Sequence, residues 1–234
     1  SRATSVLRAM LEFGVTRKLL PENPARGVAL FKPETKERTL AQSEVGALAK
    51  GIAILEDLGM ISSSMAAAIK LLLLTGARKN EIATLRWDFL DLERGLLVLP
   101  DTKTGAKVIP LPAAAARIIA DLPRRSEWVL PSSRTDGPII GLQKAWEMVR
   151  VWCGVEDARI HDLRHSFATY AVSDGASLYL VGKALGHKQS RTTERYAHVA
   201  DDPVKAVADR TAGRLAALMD EQGSDANVVP LRKG

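Results

Sequence analysis

Cysteine is almost absent. Cys153 stands alone among 234 residues, which excludes an internal disulfide and any zinc site built on cysteines. A long hydrophobic run is missing as well: the most apolar stretch, Met65 to Ala77, is broken by Lys70 and is too short to cross a bilayer. The first residues do not read as a secretory leader, and there is neither an internal repeat nor a low-complexity tract. A reduced, cytoplasmic setting without a membrane partner is the expectation.

What is present is a positive balance. The formal net charge is +6 and the pI about 9.5, and a domain pI above about 9 is the electrostatic footprint of a nucleic-acid binder. At 46% hydrophobic residues the chain can bury one large core, or one domain plus a fragment. It starts at Ser1 within a helical pattern, with Val6, Leu7, Met10, Leu11 and Phe13 at helical spacing. That start predicts a piece cut from a longer protein.

"PENPARG" breaks the first helix, and the polar "FKPETKERTL" reads as a linker. The body is expected from Leu40. Its first helix, "AQSEVGALAKGI", has Ala41 where a capping Ser or Thr would stand ahead of Glu44, which predicts a weakly capped start. Ser64 to Thr75 is apolar on nearly every face and predicts a central buried helix ended by Gly76. "KNEIATLRW" starts another. "GLLVLP" and "KVIPLP" flank "DTKTGA" and predict a β-hairpin, whose prolines Pro100, Pro110 and Pro112 confine its strands to sheet edges.

Further helices are predicted from Leu142 to Val151, over Arg159 to Tyr170 and onward to Gly175, and over "LYLVGKAL", capped by Ser177 and closed by Gly186. "SRTTERYAHV" reads as a short helical segment. Asp202-Pro203 opens a last helix, with Asp as N-cap and Pro in the first turn. The fold class is α+β, mainly helical, with one small antiparallel sheet.

"HDLRH", His161 to His165, concentrates chemistry in one turn. His161 and His165 have the i, i+4 spacing of a metal pair with Asp162 adjacent, but Arg164 would set a permanent positive charge beside the cation. A helix whose histidines hydrogen-bond locally is the plain alternative. The rest of the chain weighs against it. "TGARKNEIATLRW" puts Arg78 just after a buried helix, "LGH" puts His187 just past a helix-ending glycine, "TTERYAH" puts Tyr196 nine residues further on, and Lys103 sits in the hairpin turn.

In this order and with these gaps, the residues resemble the tyrosine recombinases, or phage-type integrases, whose pattern runs Arg, hairpin Lys, His-x-x-Arg, His or Trp, and nucleophilic Tyr. The resemblance covers about Leu40 to Val199. It implies a division into 1–30, the end of a truncated core-binding domain; 31–39, a linker; 40–202, the catalytic domain; and 203–234, a C-terminal helix and tail.

The chemistry needs these residue types. A phosphodiester attacked by a hydroxyl gains negative charge in the transition state, and two guanidiniums, Arg78 and Arg164, grip its non-bridging oxygens. The resemblance implies that Tyr196 attacks, leaving a 3′-phosphotyrosyl bond and a free 5′-hydroxyl. Lys103 would protonate the departing oxygen, His161 assist proton transfer at the tyrosine, and His187 hydrogen-bond a phosphate oxygen. No metal, cofactor or ATP is implied.

Other roles stay open for some residues. Arg78 has an alternative as the ion-pair partner of Glu81, which is assigned to support of the fold. Lys107 competes with Lys103 in the same hairpin, and Tyr196 has an alternative as a core tyrosine. His165, His198 and Trp87 are assigned to packing or local hydrogen bonds, and Trp128, Trp146 and Trp152 to core or surface packing. Lys188, Arg191 and Arg195 are either phosphate contacts, which position without specifying sequence, or a solvated face.

The last helix carries Val204, Ala208, Thr211, Leu215 and Leu218 at four-three spacing. That stripe docks either on its own domain or, as the resemblance implies, on the next protomer, with "NVVPL" as an extra plug. The implied function is site-specific recombination of a prophage or mobile element in a bacterial or phage-infected cell. The partner is a double-stranded DNA recombination site, bound as a homotetramer, with a monomer in isolation and weak DNA binding by this piece alone. The rivals are a type IB topoisomerase and a catalytically inactive DNA-binding module.

Overall fold

The computed structural model describes residues 2–29, 38–100, 106–186 and Thr193. The chain divides into two compact units, 1–37 and 38–234. In the first, α1 (Arg2–Thr16) is followed by a turn held back on the helix. Asn23, itself buried, donates to the Arg8 carbonyl and to Glu12 Oε2, and Arg8 Nε donates to the Ala25 carbonyl. The apolar residues Val6, Leu7, Met10 and Phe13 are exposed.

The second unit begins at Arg38, two residues ahead of the expected Leu40. The reason is specific bonding. Arg38 forks onto Glu44 and reaches Asp157, and Thr39 pairs with Thr169. Leu40 then exchanges backbone bonds with Ser166 Oγ and Tyr170 OH. Helix α2 (Gln42–Asp57) is better capped than the sequence suggests. Ala41 has no capping side chain, yet its N–H donates to Glu44 Oε2 at 2.7 Å, so the returning half of a capping box supports the start.

Helix α3 (Ser63–Thr75) is capped by Ser62 and ends at Gly76 with φ 61°. It is the central helix the all-apolar pattern predicts, touching α2, α4 (Lys79–Ala83), α5 (Ala113–Ala120), α6 (Leu142–Trp152) and α7 (Asp162–Ser173). Ala68, Ile69, Leu71 and Leu72 are essentially inaccessible, so truncating Leu71 to Ala should cost about 2–5 kcal/mol. Trp146 fills the core beside α3 and its indole N–H donates to the Ala158 carbonyl.

Two expectations are corrected. The helix read from "KNEIATLRW" stops after five residues, and a 3-10 turn at Trp87–Phe89 follows. The hairpin is part of a three-stranded antiparallel sheet, ordered β1 (Leu90–Asp91), β2 (Leu96–Leu99), β3 (Lys107–Pro110). β2 is therefore central rather than an edge. Pro100 lies beyond its last residue, so it removes no ladder hydrogen bond from β2. Leu97 faces Ile109 and Leu99 faces Lys107 across β2 and β3, and all four are buried. Helix α5, absent from the sequence reading, covers α3 with Ala115 and Ile119.

Helix α8 (Leu178–Ala184) starts on Ser177 Oγ, which accepts from the Leu180 N–H, and closes at Gly186 with φ 64°, both as predicted. Thr193 is buried and lies where a side chain on Gly182 would stand. Among the described residues no helix is long and apolar enough to cross a membrane. The segment Ser190–Val199, apart from Thr193, and the helix expected from Asp202 lie outside the described residues, as do residues 31–37 of the expected linker.

Candidate active site

Three of the six residues singled out in the sequence are described: Arg78, His161 and Arg164. Lys103, His187 and Tyr196 lie outside the described residues, as do Lys188, Arg191, Arg195 and His198.

Arg164 is the hub. It sits in the first turn of α7 and is 5% exposed. Its Nη1 donates to the Gly76 carbonyl and its Nη2 to the Leu185 carbonyl. Those carbonyls cap the C-terminal ends of α3 and α8, where a cation is favoured by the exposed C=O dipoles. Gly76 is two residues before Arg78, and Leu185 two before His187. One guanidinium thus ties together the segments that lead to two other candidates.

The left-handed turn at Gly76 is enforced from both sides. A Cβ there would lie 2.6 Å from Leu185 Cδ2 and 2.6 Å from Phe167 Cδ1, so only glycine fits both the φ and the space.

Arg78 is the N-cap of α4, and its side chain is 44% exposed. Its backbone N–H donates to Glu81 Oε2 at 2.8 Å and its Nη1 to Glu81 Oε1 at 2.9 Å. The pairing with Glu81 weighed as an alternative is therefore real. It occupies one guanidinium nitrogen, and among the described residues Nε and Nη2 make no hydrogen bond, so the pair does not consume the arginine.

Glu81 has a second partner. Lys107 Nζ donates to both carboxylate oxygens at 2.8 Å, with side chains only 6% and 8% exposed. Burial opposes charge on Glu81, but bonds from Lys107 and from Arg78 outweigh it and hold the carboxyl below its usual range. Burial, together with the nearby Arg164 and Arg78 charges, pushes the Lys107 ammonium down to about 8 against the pull of Glu81. Both shifts place Arg78, Glu81, Lys107 and Arg164 in one electrostatic cluster.

Lys107 is the residue whose part the sequence reading missed. Alternation along β3 carried the signal: Lys107 shares a face with Ile109, which is fully buried. Its depth is possible because Gly186 has no side chain. A Cβ on Gly186 would lie 1.9 Å from Lys107 Cε.

His161 is corrected in placement. It is the N-cap of α7, not an interior residue, and it is exposed while His165, one turn on, is buried. The rings meet edge to face at 4.9 Å. Asp162, fully buried, accepts from the Arg159 N–H, Nε and Nη2, which locks the turn presenting His161. No group of three or more His, Cys, Asp or Glu with metal-binding geometry occurs among the described residues.

The profile described as "Phage integrase family" matches residues 38–202. The prophage integrase IntF of Escherichia coli K12 is 31% identical over 137 residues, 56% of this chain and 29% of that protein. The tyrosine recombinase XerD of Lacticaseibacillus casei is 28% identical over 232 residues, 92% of this chain and 76% of the relative. Among solved structures, a lambda integrase dimer bound to a COC′ core site superposes with a TM-score of 0.66 at 18% identity, over 85% of this chain and 58% of that one. The chain therefore spans a little over half of the lambda integrase chain, and the shared fold matches the mainly helical α+β expectation.

Proposed function

The chain belongs to the phage integrase family, and from that premise we propose that it is the catalytic part of a site-specific DNA recombinase acting on double-stranded DNA. Tyr196 attacks a scissile phosphate, forms a 3′-phosphotyrosyl bond and releases a 5′-hydroxyl. Attack by a second strand's 5′-hydroxyl reverses the step, so phosphodiester energy is stored in the ester and no ATP is consumed.

The single observation that carries this reading is the convergence of Arg78 and Arg164 on one cluster from positions far apart in sequence. Arg78 is partly exposed and spends one guanidinium nitrogen on Glu81, while Arg164 fixes the ends of α3 and α8. Two guanidiniums suit the equatorial oxygens of a pentacoordinate phosphate and act mainly as charge develops. His161, exposed at the start of α7, takes the role of assisting proton transfer at the tyrosine. Lys103 and His187 take the roles of leaving-group acid and phosphate hydrogen-bond donor.

IntF and XerD are named for prophage integration and recombination, and the lambda integrase structure holds a core site. These names support a DNA site as the partner; the reading extends to integration or excision of a mobile element, a homotetramer assembled on DNA, and exchange of the 203–234 segment between protomers. Incubation with a nicked duplex carrying the core site should trap a covalent protein–DNA adduct that Tyr196→Phe abolishes. Relaxation of any supercoiled plasmid without a core site would instead mark a topoisomerase, and binding without an adduct a catalytically inactive module. Deleting 211–234 should weaken cooperative assembly on DNA. Unchanged cooperativity would end the exchange idea.

A further inference from the structure

We infer that Lys107 is a positioning residue for strand cleavage: by loading both oxygens of Glu81, it limits Glu81 to a one-point contact with Arg78 and leaves that arginine's charge and outer donors for the DNA phosphate. The inference rests on the recombinase reading and concerns a residue to which that reading gives no role.

The geometry is specific. A carboxylate facing an arginine normally forms two parallel N–H···O bonds, which neutralise the pair and use the fork. Here Glu81 Oε1 receives Arg78 Nη1 and Lys107 Nζ, while Oε2 receives the Arg78 backbone N–H and Lys107 Nζ. Two cations share one buried carboxylate, so the cluster keeps a net positive charge next to Arg164. The ammonium reaches this depth over the bare Cα of Gly186, which lies one residue before His187. β3 also packs on α8, so Lys107 holds the strand, the end of α8 and Glu81 together.

Removing the ammonium lets Glu81 turn its second oxygen to the guanidinium. Arg78 is then drawn into a neutral fork and is lost to the phosphate. Lys107 is given no proton transfer in this role: two of its three donors are spent on Glu81.

The test uses nicked duplexes carrying the element's junction sequence, made with oxygen or with sulfur at the bridging 5′ position. A thiolate departs without protonation, so sulfur restores a variant that lacks the leaving-group acid but not one with a misplaced arginine. Lys107→Met should form adduct at least tenfold more slowly on both duplexes, whereas Lys103→Ala should be restored by sulfur. Arg78→Lys, which cannot form a fork, should slow the wild-type background markedly and the Lys107→Met background hardly at all. A purely structural lysine would make the two losses multiply.

If Lys107→Met fails to fold, Lys107→Met/Glu81→Gln removes both buried charges and should be stable and cleave close to the wild-type rate, because the glutamine carries no charge with which to draw Arg78 into a neutral fork. Restoration of Lys107→Met by sulfur, multiplicative losses with Arg78→Lys, a wild-type rate in Lys107→Met, or a folded Lys107→Met/Glu81→Gln that stays at least tenfold slow would each overturn the inference. Absence of any wild-type adduct would instead overturn the recombinase reading, and this role with it.

Discussion

Arg78 and Arg164 are the same side chain in opposite surroundings. Arg164 is 5% exposed and spends two donors on carbonyls at the ends of two helices. Arg78 has a side chain 44% exposed and is tethered through one nitrogen to Glu81. A buried cation bonded to backbone is part of the fold, so it cannot be changed without a structural cost. An exposed cation on a short tether is held in place yet separable from stability. The pair shows how one phosphate-directed site can contain both a frame and a working face.

Four substitutions break or sharpen that contrast, and the largest effect lies beneath both arginines. Glu81→Ala strands the Lys107 ammonium in the interior and should lower unfolding free energy by about 3–5 kcal/mol in a urea titration. A loss below about 1 kcal/mol would show that the cluster is hydrated. Arg164→Met, leaving two helix-end carbonyls unsatisfied, should cost about 2–4 kcal/mol on the same measurement. Gly76→Ala should cost about 1–3 kcal/mol, since it combines a left-handed φ with Cβ contacts near 2.6 Å. Arg78→Gln removes only a partly exposed pair and should change stability by less than about 1 kcal/mol, while adduct formation is lost. If Arg78→Gln proved as destabilising as Arg164→Met, the distinction between frame and working face would fail.

A smaller effect is set by pH. The Glu81 carboxyl is held below its ordinary value of 4.5, so its stabilising contribution is present above that pH and is lost as the solution becomes more acid. Lys107 goes the other way. Its ammonium is pushed from 10.5 to about 8, so between those values the unfolded chain holds more protons there and stability from this group rises with pH. Chemical denaturation across pH should show the alkaline-side rise in the wild type and not in Lys107→Met/Glu81→Gln, and a smaller acid-side loss in that variant, where Glu44 and Asp157 still contribute.

Much of this was legible in sequence, for identifiable reasons. The nearly continuous apolar pattern of α3, interrupted only by Lys70, and the Gly76 stop locate the central helix, and "HDLRH" with Arg78 points to the cluster without any distance. The glycine after α8 was read as a helix stop, which it is, but its second task was invisible. Room for Lys107 beside Gly186 arises only when β3 packs against α8. The same limit applies to α2: Ala41 looks uncapped along the chain because the support comes from Glu44, itself braced by Arg38 across to Asp157. In the sequence β2 reads as an edge because a two-residue strand such as β1 carries too little periodicity to be recognised.

Residue order, helix periodicity and glycine stops by themselves determined the mainly helical class, the family pattern and the two arginines, because these depend on local spacing. Which arginine is buried, which lysine meets Glu81, and how many donors Arg78 keeps were decided only in three dimensions. Burial and ion pairing depend on which distant segments share a space, and no spacing along the chain encodes that.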